Sequence, residues 1–464
     1  MYDPLKSYSP GVGERYPNSY WFNHSGPAPK QSNKLQKDIE VDVAIIGAGY
    51  TGLSCAYHLA TEHKIKAHIL EANQTAWGCS GRNAGFILKS TGRKPYARMI
   101  RQWGESVAKD IYNETCEGLE TVNQLISTGI DCDPQAKGYL RVAHKPSMVK
   151  VIKAQAKLLK QLFSYDVEYI SQNELKTDYF DSRHAFGAIR FADGYGVNPL
   201  KLAWGYQNLA IRAGAEIYTA SPVEKIISID QAHSGAGSNT RSYANSDKNN
   251  YRLITPEGIV TAKKVVIATN GYTPYQFHPS INNRMLPVLS QIIVTRPLTS
   301  AELSNCNFIT SNVVMDTRAL KYYFRKLPDN RLLFGGRGAI NGKDAEDPYY
   351  ADRLLKVLKS SFPSLSEVKV DYSWSGWICM ALDDLPHIVK GDAQGNLFYS
   401  AGYCGNGVSF SVQAGKRLAQ QIAGQSVPNL PLYNQSLPKF PLPSLRRVGQ
   451  WGYFQYGKVK DRWF

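Results

Sequence analysis

An apolar run, Val41-Asp-Val-Ala-Ile-Ile46, leads without a break into Gly47-Ala-Gly49-Tyr-Thr-Gly52. A second run, Ile65-Lys-Ala-His-Ile-Leu70, ends on Glu71, nineteen positions after Gly52. This order of strand, glycine turn, helix, strand and acid constrains the fold more than any other feature of the chain. Gly47 lets the chain turn tightly, Gly49 lets backbone approach a pyrophosphate, and Gly52 lets the helix lie close to the strand. The helix N-terminus then faces the phosphates, while Glu71 accepts a hydrogen bond from a ribose hydroxyl. The alternative is a chance glycine turn in an unrelated α/β unit, and the spaced acid stands against it.

Bulk properties narrow the class. A chain of 464 residues is too long for one ordinary core, so two intimately packed domains are expected. With 43% hydrophobic and 20% charged residues, it reads as a soluble globular protein. The formal net charge of +16 raises nucleic acid as a partner, but the basic residues are scattered and no zinc-finger or RNA-binding signature occurs. No nucleic-acid partner is therefore expected, and the charge is read as solubility or attraction of anionic substrates or a membrane surface. The seven cysteines include no CxxC pair, which fits reduced thiols in a cytoplasmic protein without a bound metal. The N-terminus lacks an apolar targeting core, and no run is long enough to cross a bilayer.

Along the chain, residues 1–38 are rich in Tyr, Pro, Gly, Ser and Asn and read as an extended arm. Helical spacing covers 98–128 and 147–163, with a short strand at 137–142 between them. A polar turn at 193–198 precedes a helix over 199–213, and strands are expected at 215–219 and 221–229. The segment 231–250 is low in complexity and reads as a mobile hairpin loop. Strands at 251–254 and 259–267 flank a Pro256-Glu-Gly258 turn. Stretches 289–295, 321–324, 331–334 and 369–377 are expected to form one antiparallel sheet, and a strand at 397–401 and a helix at 407–423 return to the nucleotide unit. The fold class is α/β with interleaved α+β character. A Rossmann-like domain is drawn from 39–90, 190–285 and 379–425, and a mixed or antiparallel sheet domain from 91–189 and 286–378. The arm is 1–38 and the tail 426–464.

Later motifs decide which dinucleotide is held. Lys264-Val-Val-Ile-Ala-Thr-Asn270-Gly271 is a buried strand ending in small residues, which suits backbone against a ligand, although an ordinary strand end reads alike. Gly402-Tyr403-Cys-Gly405-Asn406-Gly407-Val408 again joins a strand to a helix through glycines, so a second helix N-terminus faces an anionic part of the ligand. Two such turns about 350 residues apart argue for FAD spanning the domain. No second strand–GxGxxG–helix unit for NAD(P)H exists, which disfavours a pyridine-nucleotide-linked reductase.

Ser80-Gly-Arg-Asn-Ala-Gly85, Asn270-Gly-Tyr-Thr273, Leu332-Leu-Phe-Gly-Gly-Arg337, Trp374-Ser-Gly-Trp377 with Asp383-Asp-Leu-Pro386, and the 402–408 turn together resemble the D-amino-acid oxidase superfamily of FAD-dependent amine oxidoreductases. The arm, the run 49–54 and the aromatic tail are most similar to its branch acting on γ-glutamyl-amines. The resemblance implies that Gly47, Ala48, Gly49, Thr51, Gly52, Glu71 and Ala72 hold adenosine and pyrophosphate. It places Ser80, Gly81, Arg82 and Asn83 along the pyrophosphate and ribityl chain, and Ala84 and Gly85 toward the flavin. Val223 binds adenine through its backbone, and Gly376 with Gly402, Tyr403, Gly405, Asn406, Gly407 and Val408 lines the ring. For Arg82 a surface salt bridge is the alternative, but a guanidinium in a glycine-rich context suits a diphosphate.

The implied reaction is oxidation of a C–N bond in a primary or secondary amine, whether polyamine, γ-glutamyl-amine or amino acid. Hydride passes to flavin, the imine hydrolyses, and oxygen or another acceptor reoxidises the cofactor. Tyr322, Tyr323 and Arg325 are candidates to line the substrate pocket, with Trp374 and Tyr403 near the flavin. Sheet packing is the alternative for each. Lys321 is a candidate cation for oxygen activation. Some relatives tether flavin to a cysteine, but the residues after Cys379 follow the untethered pattern, so noncovalent FAD and a structural cysteine are expected. Two other functions stay open: a dehydrogenase passing electrons to a quinone or carrier, with the basic aromatic tail as a peripheral membrane contact, and a maturation flavoprotein acting on a partner protein. For the tail, a helix packed on its own protein is the alternative and the favoured reading.

Overall fold

The structure, a computed structural model, describes residues 1–30, 32–229 and 251–463; the expected hairpin loop at 231–250 lies outside the described residues. Its first sheet has eight strands. Leu397–Ala401, Gly258–Ile267, Ile39–Ile46, Ala67–Leu70 and Glu216–Tyr218 run parallel in that spatial order, with His387–Lys390 antiparallel on one edge. Tyr251–Thr255 and Lys225–Ser228 extend it as an antiparallel flap. The strand Ile39–Ile46 is buried on both faces: Val43 and Ile45 enter the core under the helices, and Ala44 and Ile46 enter the core opposite. That is why its sequence reads as a near-continuous apolar run rather than an alternation.

The helix Tyr50–His63 lies against Phe410–Ile422 so closely that a Cβ on Gly415 would sit 2.7 Å from Cys55 N and Thr51 O. Tyr96–Ser127 joins this layer through a buried ion pair, in which Arg417 donates to both oxygens of Glu114 (2.6 and 3.1 Å). It is two helical pieces, broken at Gly104, whose φ of 85° is outside the helical region.

The second sheet also has eight strands, ordered Val370–Met380, Leu286–Thr295, Leu332–Arg337, Tyr323–Lys326, Val313–Asp316, Tyr139–Val142, Ala188–Phe191 and Val167–Ile170. The four stretches expected to share a sheet do so. Those four pair antiparallel with one another, and the eight-stranded sheet as a whole is mixed, because Val313–Asp316 runs parallel to Tyr139–Val142. One face is sealed by the helix Pro348–Ser361, whose Leu354 and Leu358 are fully buried among Phe180, Phe324, Phe334 and Phe362. The other face looks toward the first sheet.

Two local expectations change. The turn at 193–198 contains a two-residue strand, Tyr195–Gly196, paired with Phe86–Ile87; the side chains of Arg325 and Gln135 crowd Gly196, where a Cβ would lie 2.1 Å from Arg325 Nη1. The arm is not merely extended. It forms a short helix, Tyr20–His24, and buries Tyr16, Tyr20 and Trp21. Tyr16 Oη donates to Thr75 O (2.6 Å) and Trp21 Nε1 to Asn83 O (2.9 Å), so its aromatic residues are anchors onto the glycine-rich segment.

Candidate functional site

A crevice opens at the carboxyl ends of the parallel strands, where α/β sheets bind ligands. Gly47 turns at φ +106°, and a Cβ there would meet Ala268 O at 3.1 Å. Gly49 opens the helix, and Tyr50 N donates to Ser80 Oγ across it (3.0 Å). A Cβ on Gly52 would lie 2.0 Å from Gly47 O, so no other residue fits. Glu71 receives Ala48 N on Oε2 (2.8 Å) and Asn73 N on Oε1 (3.0 Å). Burial pushes its carboxyl pKa up, and the backbone donors oppose that shift. Each oxygen keeps acceptor capacity toward the crevice, as a ribose hydroxyl requires.

Gly47, Gly49, Thr51, Glu71, Ala72, Ser80, Asn83 and Val223 line the crevice, as do Asn270, Gly271, Tyr403, Gly405, Gly407 and Val408. Asn270 stitches two strand ends together by accepting from Gly402 N through Oδ1 (3.0 Å). The Tyr403 hydroxyl is shared between Thr51 Oγ1 and Ser400 Oγ, at 2.7 Å each, and burial raises its pKa to about 12. Other expected cofactor residues support the cradle from behind. Ala48 holds Glu71, and Gly52, Gly81, Gly85 and Gly402 are points of close backbone approach; a Cβ on Gly85 would lie 2.0 Å from Val197 O. Cys379 lines the crevice as a buried thiol whose pKa burial lifts to about 12. These are the donors, glycine approaches and buried acid that an FAD needs, so the residues fit that cofactor.

The crevice continues, at Cys79, Asn83, Ile378, Gly405 and Val408, into a cavity of about 840 Å³ lined by strands of the second sheet, the turn after Leu397–Ala401 and the C-terminal segment 440–454. Arg82, Ala84, Gly376 and Asn406 stand at this junction. Arg82 is buried rather than in a surface ion pair: Nε donates to Trp77 O (2.8 Å), Nη1 to Ser375 O (3.3 Å), and its guanidinium lies 4.5 Å from the Trp77 ring centroid.

Of the four pocket candidates, Lys321 and Tyr323 line the cavity. The Tyr323 hydroxyl bonds Ser290 Oγ (2.7 Å). Lys321 is pushed down to about 7 by burial and then by the positive Arg141 and Arg93. Tyr322 and Arg325 do not reach it. Side chains alternate along a strand, so Tyr322 points the other way, against Phe334 and under Arg318. Arg325 shares the face of Tyr323 but lies behind Phe86, donating to Gln135 Oε1 (2.8 Å) and Val197 O (2.6 Å). Trp374 is likewise structural: its indole donates to Arg82 O (2.8 Å) and its ring meets Trp21 edge-on.

Sequence reasoning missed Trp77, Tyr272, Arg93 and Arg337 as lining residues. The C-terminal tail does form a helix packed on its own protein, Arg446–Trp463, but that its Gln450, Tyr453 and Phe454 line the cavity was not foreseen. Of its buried residues Arg446, Gln450, Phe454 and Gly457 only Phe454 carries an apolar side chain, so the sequence offers no clear apolar stripe there.

Residues 42–421 match the family model described as DAO, FAD dependent oxidoreductase. The chain is 31% identical to γ-glutamylputrescine oxidoreductase of Escherichia coli over 421 residues, covering 89% of this chain and 90% of that one. Its structure is similar to glycine oxidase from Bacillus cereus, with TM-score 0.65, 20% identity, 87% of this chain and 99% of that one covered. It is also similar to L-proline dehydrogenase from P. horikoshii, with TM-score 0.65, 17% identity and coverage of 85% and 96%.

Proposed function

Because the chain belongs to the DAO family of FAD-dependent oxidoreductases, we propose that it oxidises the C–N bond of a γ-glutamyl-amine, polyamine or amino acid and returns the electrons to oxygen as hydrogen peroxide. When bound, FAD would supply the two-electron acceptor for the hydride of the amine carbon, after which water would convert the imine to a carbonyl and a free amine. The observation that carries this reading is the cavity of about 840 Å³ opening directly onto the flavin end of the crevice.

The protein's own part is selection and orientation. Leu286, Val288, Ile292 and Met380 supply apolar walls. The cationic side chains of Arg93 and Arg337 stand among them beside Lys321, with Asp384 the one acid lining this cavity among the described residues. Such a lining disfavours an ammonium and admits the neutral amine that can lose hydride. Tyr323 is held to Ser290 beside this path, ready to orient the substrate. Lys321 on the cavity wall, pushed down to about 7 by burial, would supply positive charge for the oxygen step in the fraction that is protonated. Seven unpaired cysteines agree with a reducing, cytoplasmic setting.

A screen of γ-glutamylputrescine, polyamines, N-methyl amino acids and amino acids for peroxide tests the reading. A substrate that reduces the flavin anaerobically yet yields no peroxide in air would replace the oxidase by a dehydrogenase serving another acceptor. Exposed Trp451, Tyr456 and Trp463 beside Lys458, Lys460 and Arg462 favour that second reading, with a membrane surface as the site of transfer. No helix among the described residues is long and apolar enough to cross a membrane. A flavin that none of these amines reduces would leave the maturation role on a protein partner.

A further inference from the structure

The C-terminal helix Arg446–Trp463 bridges the substrate cavity between two clamps. At its start, Arg446 Nη1 donates to Met285 O and Arg447 Nη1 to Pro287 O (2.6 Å each), while Arg447 Nη2 pairs with Asp3 Oδ1 (2.7 Å). Near its end, Asp461 accepts Ala319 N (2.6 Å) and Leu320 N (3.0 Å), the residues just before Lys321. About 20 Å of helix separates the clamps at 1.5 Å per residue.

Between them the helix presents Gln450, Tyr453 and Phe454 to the cavity interior. From this middle stretch Tyr453 Oη accepts a hydrogen bond from Arg93 Nη2 across the cavity, at 3.3 Å. Gln450 Nε2 is buried with no hydrogen-bond partner. At the rim stand Leu442 (64% exposed), Leu445 (49%) and Val448 (62%), and Leu382 (49%) belongs to the same lining. Four large apolar side chains held half open around one mouth are costly unless something apolar passes or rests there. All of the helix lies outside the residues matched by the family model, 42–421.

We infer that the segment 440–454 is the specificity-determining outer wall of the amine cavity. It receives the non-reacting end of an elongated amine with an apolar chain, and it sets the length that the enzyme accepts. The volume agrees: about 840 Å³ lies toward the upper end of the range of about 300–1,000 Å³ typical of sites for drug-sized ligands. This inference rests on the amine-oxidation reading.

Gly449 offers a clean test. It lines the mouth, and a Cβ there meets no atom within 4 Å, so the root of a larger side chain is accommodated and Gly449→Phe is expected to narrow the entrance. Phe454→Ala widens the interior. Both holoenzymes would be assayed with linear primary amines from propylamine to decylamine and with γ-glutamylputrescine, alongside FAD content and melting temperature. For Gly449→Phe, kcat/KM for the longest accepted amine falls by about tenfold or more through KM, while the shortest accepted amine changes by less than about threefold. Phe454→Ala shifts the preferred length upward. An equal change for all lengths, or none, in either FAD-loaded variant would overturn the inference and leave the amine-oxidation reading intact. A wild-type flavin reduced by none of these amines overturns both.

Discussion

Single residues carry the cofactor half of the site. With only 2.0 Å between a Cβ on Gly52 and Gly47 O, Gly52→Ala must force the helix off the strand. The purified variant is expected to be colourless, and full FAD content would contradict the close-approach role. Cys379 has a thiol pKa near 12, so it is a poor nucleophile for a tether. Acid precipitation should therefore release all flavin into the supernatant, and colour on the pellet would contradict this. Lys321 titrates at about 7 when folded, against 10.5 ordinarily. Between those values the unfolded chain holds a proton that the folded chain lacks, so the burial penalty is full below 7 and fades as pH rises. The melting temperature of Lys321→Met should exceed wild type most near neutral pH, and the gap should close toward pH 10; a constant gap would contradict the assignment. The Gly52 role was legible because the atom it must approach, Gly47 O, is only five residues away, whereas Gly47 and Gly85 lie against Ala268 and Val197 from distant segments. Tyr322 and Arg325 were misassigned because pocket membership depends on which strand face is inward and what covers it, and Phe86 and Trp21 cover Arg325 from distant segments.

At the scale of elements, long helices and the parallel strands were readable from their period and apolar runs. The short strands Val167–Ile170, Ala188–Phe191 and Val313–Asp316 were not, since four residues carry little periodicity and their pairing partners lie far along the chain. Layer contacts were equally hidden. The Glu114–Arg417 pair joins helices 303 positions apart, and Tyr433 Oη (2.5 Å) and Gln413 Nε2 (3.3 Å) add further donors to Glu114. Arg417 also pairs with the more exposed Glu117 (2.6 Å), so it is removal of Arg417 that leaves the buried Glu114 carboxylate without its ion-pair partner. Arg417→Ala is expected to cost about 3–5 kcal/mol in denaturant unfolding, and a change below about 1 kcal/mol would show the pair to be dispensable. The C-terminal helix shows the same limit in another form. Its aromatic and basic surface suggested a membrane contact, yet its other face walls the substrate cavity.

Across the whole molecule, interleaving explains the division of labour. The first sheet presents strand ends and helix N-termini to a dinucleotide, and the second presents one face as a floor. The chain passes between them repeatedly, so crevice and cavity share Cys79, Asn83, Ile378, Gly405 and Val408. Sequence motifs located the crevice because its residues are contiguous turns. The cavity is assembled from single side chains on many strands plus a terminal helix, which is why its substrate was not legible. The central claim is that an amine in this cavity passes hydride directly to bound FAD. The most direct measurement is anaerobic mixing of the purified yellow protein with γ-glutamylputrescine and the other amines, following the visible absorbance of oxidised flavin. The account predicts that at least one bleaches it within seconds and that air restores the colour. Persistence of the oxidised spectrum with every amine would contradict it.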